Sequence, residues 1–339
     1  MGLTQASRLL TPEEIAVQAG HQVPFLHLPK RASVFADREL RLRELSPAHP
    51  MRDYLLFMAE LARAQHEVLQ VYPAVTLPDT GALDSAARLG MPPLPATEWP
   101  RDRVWREQFR QLLDRLLPRL ASSPAQASVQ ALRDIGDDRL EQQADRLLNG
   151  MMLGLDLAAA PLIAAGLQTY WTHLVLATED ARGADRVTPF GRTDVRTLCP
   201  CCGSKPTASV SRIGGEVSGH RYLHCSLCST QWHMVRIKCS HCESTQGIHY
   251  QSLHALNNET MPARDAKSAV QAETCDACGH YLKIVHMERD PNVEPVADDL
   301  ASVTLDLLVS ESGSLRHGIN LMLLFGDPEG HAPPDPGGP

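Results

Sequence analysis

The sequence predicts an α+β protein: an N-terminal helical bundle, then two small rubredoxin-like or zinc-ribbon-like metal-binding β modules, then a C-terminal helix. Three observations predict this. Apolar residues recur at steps of three and four almost to residue 180. From about residue 198 the pattern becomes short runs rich in β-branched and aromatic residues, and four C-x-x-C pairs are interleaved with those runs.

In the first half the clearest stripe follows Ser46-Pro47: Met51, Tyr54, Leu55, Met58, Leu61, Ala62, Gln65, Val68, Leu69 and Tyr72 fall on one helix face. A short helix near Leu83 to Leu89 and the Pro-rich loop MPPLPATEWP come next. A second long helix then carries Trp105, Phe109, Leu112, Leu113, Leu116, Leu117 and Leu120, with Pro118 as its kink or stop. Further helices are expected at about 125 to 135, 137 to 149 (ended by Asn149-Gly150) and 155 to 179. These stripes read as core. The longest apolar run, Met151 to Trp171, is interrupted by Asp156 and Pro161, so it reads as a buried core helix and no membrane insertion is expected. At the start of the chain, Thr11-Pro12-Glu13-Glu14 has the form of a helix N-terminus with a capping box, and no secretory signal is read there.

The segment ARGADRVTPFGRTDVRT loses the helical period and marks the domain boundary. The expected division is a helical domain over 1–184, a linker over 185–197, one module over 198–236, a second over 237–290, a helix within 291–312 and an extension over 313–339 with a flexible end. Strands are expected in TASVSRI, HRYLH, QWHMVRIK, GIHYQSL and HYLKIVHM, with a turn at Gly214-Gly215. In DDLASVTLDLLVSES one amphipathic helix is expected, capped by an aspartate.

The pairs are Cys199/Cys202, Cys225/Cys228, Cys239/Cys242 and Cys275/Cys278. Two intervening residues let both sulfurs face one ion while nearby backbone N–H groups donate to them. Without an export signal the thiols meet a reducing cytoplasm, where metal ligation is the commoner use of such pairs. Sequential pairing makes one site from Cys199, Cys202, Cys225 and Cys228 and another from Cys239, Cys242, Cys275 and Cys278; a crossed arrangement is the alternative. Sequential use is preferred because the stretch between Cys202 and Cys225 fits one hairpin. Sulfur-only coordination suits zinc or iron alike. Lys205, Arg221, Arg236, Lys238 and Lys283 are candidates to offset the thiolate charge, Cys201 reads as a spare thiol, and His224, His233, His241 and His280 are set aside as ligands because sulfur completes both shells. Modules of roughly 40 residues bury little core, so the ions are expected to supply their folding free energy. Loss of Cys225 and Cys228 is then expected to spare the helices.

These residues resemble a known family, the formate dehydrogenase accessory protein FdhE. The resemblance rests on CPCCGSKPTASVSRIGG, RYLHCSLCSTQWHMVRIKCSHCES, GIHYQSL, AETCDACGHYLKIV and DDLASVTLDLL, in that order over about residues 199 to 309. It implies a cytoplasmic factor that contacts the catalytic subunit of respiratory formate dehydrogenase before export, with rubredoxin-like motifs associated with iron. Carried over residue by residue, the ligand role falls on the eight paired cysteines. The ending HGINLMLLFGDPEGHAPPDPGGP departs from the family's short one, and no role is assigned to it.

Other function classes weigh less. A rubredoxin-like electron-transfer protein is the main alternative, since iron in four thiolates can change valence. A zinc-ribbon nucleic-acid binder is disfavoured by the net charge of -8 and by the near balance of basic and acidic residues over 196–290. The C-x-x-C pairs lie among hairpins, which disfavours a thiol oxidoreductase, and no nucleophile with a poised base is evident, so no enzyme is expected. A homodimer is compatible with all of this.

Overall fold

In the computed structural model the described residues are 23–121, 123–182, 188–214, 219–253 and 268–324. The expected helix start at Thr11, the second turn glycine Gly215 and the terminal DPEGHAPPDPGGP lie outside them.

A two-residue strand, β1 (Leu26–His27), precedes the helices α1 (Val34–Leu45), α2 (Arg52–Gln70), α3 (Thr80–Arg88) and α4 (Val104–Leu116). The last of these tightens into a 3-10 turn over Leu117–Leu120, where Pro118 removes a backbone donor. Then come α5 (Ala125–Arg133), α6 (Asp137–Leu148) and α7 (Ala160–Ala181). The stripe on α2 is buried from Leu55 to Leu69, as are Trp105, Phe109, Leu112, Leu113 and Leu116 of α4. Each large apolar side chain so placed is worth roughly 1.5–3 kcal/mol against exposure.

The apolar run ends in the central helix α7, which is buried almost all round from Ala160 to Val175. It begins at Ala160 and not near 155, because Pro161 is tolerated only in a first turn. Gly166 lets α4 close in: a Cβ there would stand 2.6 Å from the Phe109 ring. The helix α1 is one that the apolar stripes did not single out.

Strands β2 (Pro206–Ser211), β3 (Arg221–Cys225), β4 (Gln231–His233), β5 (Ile248–Gln251), β6 (Val270–Cys275), β7 (His280–His286) and β8 (Leu315–Arg316) join β1 in one eight-stranded sheet of order β1-β4-β3-β2-β7-β6-β5, with β8 on β7. Strands β1, β6 and β8 are additions to the expected set. The half bearing the first two cysteine pairs meets the half bearing the last two along the parallel pairing of β2 with β7, Ser209 opposite Ile284 and Val210 opposite Val285. The two halves therefore share a single sheet. Strands β2 and β3 are buried at every residue, so both faces are covered.

The expected C-terminal helix is two helices, α8 (Pro295–Ala301) and α9 (Val303–Glu311). The cap is Glu294, whose side chain accepts from the N–H groups of Val296 and Ala297, and Pro295 takes the first helical position. Asp298 and Asp299 are not caps: both are buried at the centre of ion pairs. Arg41 of α1 holds Asp298 through two bonds of 2.9 and 2.7 Å and also reaches Asp290 at 2.7 Å. Arg38 of α1 pairs with Glu294 at 3.2 Å. Lys283 of β7, fully buried, lies 3.0 Å from Asp299 and 2.6 Å from Asp306, and Arg316 pairs with Asp299 at 2.7 Å. Beyond α9 the chain stays packed: Leu321 and Met322 enter the core, and the Tyr54 hydroxyl donates to the Met322 carbonyl.

Candidate metal centres

All four C-x-x-C pairs build the same turn. In each, the residue after the second cysteine has a left-handed backbone: Gly203 (φ 73°), Ser229 (φ 59°), Glu243 (φ 59°) and Gly279 (φ 67°). That conformation bends the chain so that Cys199 N donates to Ser204 O at 2.9 Å and Gly203 N to Cys199 O at 2.8 Å, and the other turns repeat parts of the pattern. Only two of the four positions use glycine, the residue that adopts this conformation without a Cβ penalty. At Gly203 a Cβ would also press on Pro92 at 3.3 Å, whereas at Gly279 it would meet open space. Gly203→Ala is therefore expected to lower the thermal midpoint more than Gly279→Ala, which carries the left-handed penalty of about 1–2 kcal/mol alone. Equal losses would remove the loop contact from the explanation.

The turns converge in sequential pairs, and the crossed arrangement is not seen. Cys199, Cys202, Cys225 and Cys228 form one cluster; Cys239, Cys242, Cys275 and Cys278 form the other. In the first, sulfurs lie 3.5 Å (Cys199 to Cys228), 3.4 Å (Cys202 to Cys225) and 3.6 Å (Cys202 to Cys228) apart. In the second, the separations are 3.8 Å (Cys239 to Cys278) and 3.7 Å (Cys242 to Cys275). A tetrahedron with 2.3 Å metal–sulfur bonds has edges of about 3.8 Å, so either cluster could hold one ion, and a disulfide at about 2.05 Å is ruled out as the arrangement.

The two cages differ in setting. The first is sealed, its four cysteines at most 1% exposed, within the same core as Leu94, Trp171 and Trp232. The Pro-rich loop is pinned to it, Leu94 N donating to Cys201 O at 3.0 Å and Ala96 N to Cys202 O at 2.9 Å, and Gln168 of α7 donates to Ser226 O at 2.7 Å. The N–H groups of Leu227 and Cys228 both point at Cys225 Sγ, 3.4 Å away. The second cage is open: Cys242 is exposed and Cys278 half-buried.

Without a cation such crowded thiols cannot all ionise. Burial pushes Cys199, Cys201 and Cys225 well up. Burial opposes ionisation of Cys228 too, but hydrogen bonds from Cys199, Cys201, Cys202 and Cys225 outweigh it and hold that thiol well down. In the open cage burial raises Cys239, and it raises Cys278 to about 12. Cys242 is lowered: burial works against it, but the Ser244 N–H and the neighbouring thiols prevail. A divalent ion in either cage would supply the positive charge that lets the crowded sulfurs ionise together. The donor set suits zinc and iron.

Cys201 stays outside both clusters, a buried thiol beside the first; its backbone carbonyl, not its sulfur, ties the loop down. Of the cations expected to offset the thiolates, Arg221 is spent on Glu273 at 2.9 Å, Lys283 on two aspartates, Lys238 on Glu243, and Arg236 lies 3.6 Å from Glu288. Of the histidines set aside as ligands, His224 engages Gln231 at 3.2 Å and His233 packs on Tyr222. His241 and His280, however, border the open cage, each offering a ligand atom within 4.8 Å of Cys278 Sγ. His317, which sequence reasoning missed, stands beside them.

Family models match along the chain: the FdhE N-terminal model over residues 23–186, the FdhE central domain over 198–236 and the FdhE C-terminal domain over 237–323. The chain is 39% identical over 307 residues to an FdhE homolog of Cronobacter sakazakii and to the FdhE protein of Salmonella arizonae, in each case over 91% of this chain and 93% of the relative. The crystal structure of the FdhE protein from Pseudomonas aeruginosa superposes with a TM-score of 0.74 at 39% identity, covering 90% of this chain and 100% of that one. With its three successive regions matched in order and both four-cysteine clusters in place, this chain belongs to the FdhE family.

Proposed function

We propose that this chain is an accessory protein for the maturation of respiratory formate dehydrogenase, binding that enzyme's catalytic subunit in the cytoplasm through a metal-stapled scaffold. The eight paired cysteines ligate two ions, with iron favoured by the family resemblance and zinc chemically allowed. The observation that carries the reading is the sealed first cage, set in the core between helices and sheet, which suits an ion that holds a binding surface in shape. The role is binding and not catalysis. Among the described residues no helix is long and apolar enough to cross a membrane. The pairing of Arg221, Lys283, Lys238 and Arg236 with acids also leaves those cations poorly placed to track phosphates.

The test is co-purification of the full chain with the formate dehydrogenase catalytic subunit, alongside formate dehydrogenase activity in cells lacking the chain. Capture of the subunit and loss of activity are expected. No capture together with full activity would overturn the reading. The open cage favours a second reading, rubredoxin-like electron transfer, because its exposed Cys242 brings an iron centre near solvent. A reversible one-electron change in the isolated protein supports it, and a colourless, redox-silent protein removes it.

A further inference from the structure

Away from both cages, His27, Gln231 and His224 lie opposite one another across β1, β4 and β3, so they share one face of the sheet. Helix α1 faces this row across a cavity of about 970 Å³, large enough for a small molecule. The hydrogen bonds fix what the row offers. A guanidinium only donates, so Arg212 Nη1, 2.6 Å from Gln231 Oε1, leaves the amide nitrogen of Gln231 to donate to His224 Nδ1 at 3.2 Å. Nδ1 therefore accepts, and Nε2 of His224 carries the proton. That N–H belongs to a cavity-lining side chain only 4% exposed, and it has no acceptor among the described residues. Arg212 Nε and His27 Nε2, on the same lining, are likewise buried and unpartnered among the described residues. Burial holds the Arg212 guanidinium below its usual range, with no carboxylate beside it among the described residues to raise it. Lys30 adds a second cation facing His27. The acids of the lining do not answer these charges: Glu294 pairs with Arg38, Glu44 pairs with Arg41, and Asp37 is exposed.

We propose that this cavity binds a small organic oxyanion, a carboxylate or a phosphate ester, whose head group accepts hydrogen bonds from Arg212 and His224 beside Lys30. Its apolar part lies against Val34, Leu40 and Val293, which line the same space. The sign of the ligand follows from the lining. A partly buried guanidinium without an acid costs the folded chain stability, and a bound oxyanion supplies the missing partner. A cation would add to the charge of Arg212 and Lys30 and would meet the proton of His224 where it needs a lone pair. A neutral apolar molecule would leave the donors buried and unsatisfied. The donor arrangement is also held in place before any ligand arrives, because Arg212 orients Gln231 and Gln231 orients His224.

Calorimetric titration of the full chain, purified with its ions, tests this at fixed ionic strength with phenyl phosphate, benzoate, inorganic phosphate and acetate. Saturable binding of one anion per chain is expected. Each aromatic compound should bind more tightly than its parent anion, and the head group of higher affinity identifies the class of the natural ligand. Arg212→Met keeps an apolar stem; it is expected to weaken binding at least about tenfold, the scale of losing a charge-assisted hydrogen bond. Without ligand its thermal midpoint should stay level or rise, because the stranded charge is gone. Lys30→Ala changes an exposed side chain and decides the matter should Arg212→Met fold poorly; it is expected to weaken binding by about threefold, the scale of an exposed ion pair. No saturable binding of any of the four anions would overturn the site. So would binding that neither substitution weakens. Both readouts use the isolated chain, so their failure leaves the capture of a formate dehydrogenase subunit as a separate question.

Discussion

Cys225→Ser with Cys228→Ser is expected to release one ion and to cost the protein its native fold, helices included. A structural four-thiolate site supplies roughly 10–16 kcal/mol in small zinc-dependent folds, against a total stability of about 5–15 kcal/mol for ordinary domains. In this chain the affected cage lies inside the core shared with α4 and α7, and the loop holding Leu94 and Ala96 hangs from its backbone. The sequence pointed to a different outcome, a self-contained module whose loss would spare the bundle. What changes the expectation is the packing of the first cage against Leu94 and Trp171, which no local pattern reveals. Cys239→Ser with Cys242→Ser is the matched control: it should release the other ion while most of the helical circular dichroism survives, because the open cage borders β5 and β6 at the end of the sheet. Metal analysis together with circular dichroism reads both. If the first pair of substitutions left the helical signal and the thermal midpoint unchanged, the sealed cage would not be structural.

What was legible in the sequence is what short-range rules govern. The stripe from Leu55 to Leu69 and the one from Trp105 to Leu116 needed only a helical period. The sequential grouping of the cysteines needed only turn spacing and one hairpin length. Long-range pairing hid the rest. VQAETC does not read as a strand alone and becomes one by lying between β5 and β7. Lys283 and Arg221 looked free to face the sulfurs because their acids, Asp306 and Glu273, are 23 and 52 positions away, and only the packing of α9 on the sheet and the sheet's strand order bring them together. His317 likewise reaches the open cage through β8, a two-residue strand with no pattern to detect.

The same long-range logic makes Arg41→Ala a severe substitution. Arg41 is nearly buried on α1 and forks onto Asp298, which is 2% exposed on α8. Within that fork the attraction of the guanidinium opposes the burial that raises the Asp298 carboxyl, and the Glu294 N–H adds a third bond at 2.8 Å. Removing the arginine leaves a carboxylate in the interior with one backbone donor, a loss of about 3–5 kcal/mol by the usual cost of breaking a buried pair. In a chain of 339 residues that is a fall in the thermal midpoint of roughly 4–7 °C. Arg52→Ala, which breaks a pair whose side chains are 60% and 95% exposed, should leave the midpoint where it is. Adding Asp298→Asn to Arg41→Ala should recover part of the loss, since the amide needs no counter-charge. The recovery is the discriminating measurement: if Arg41→Ala is as costly with asparagine at 298 as with aspartate, the penalty belongs to lost packing of the arginine stem and not to the stranded charge.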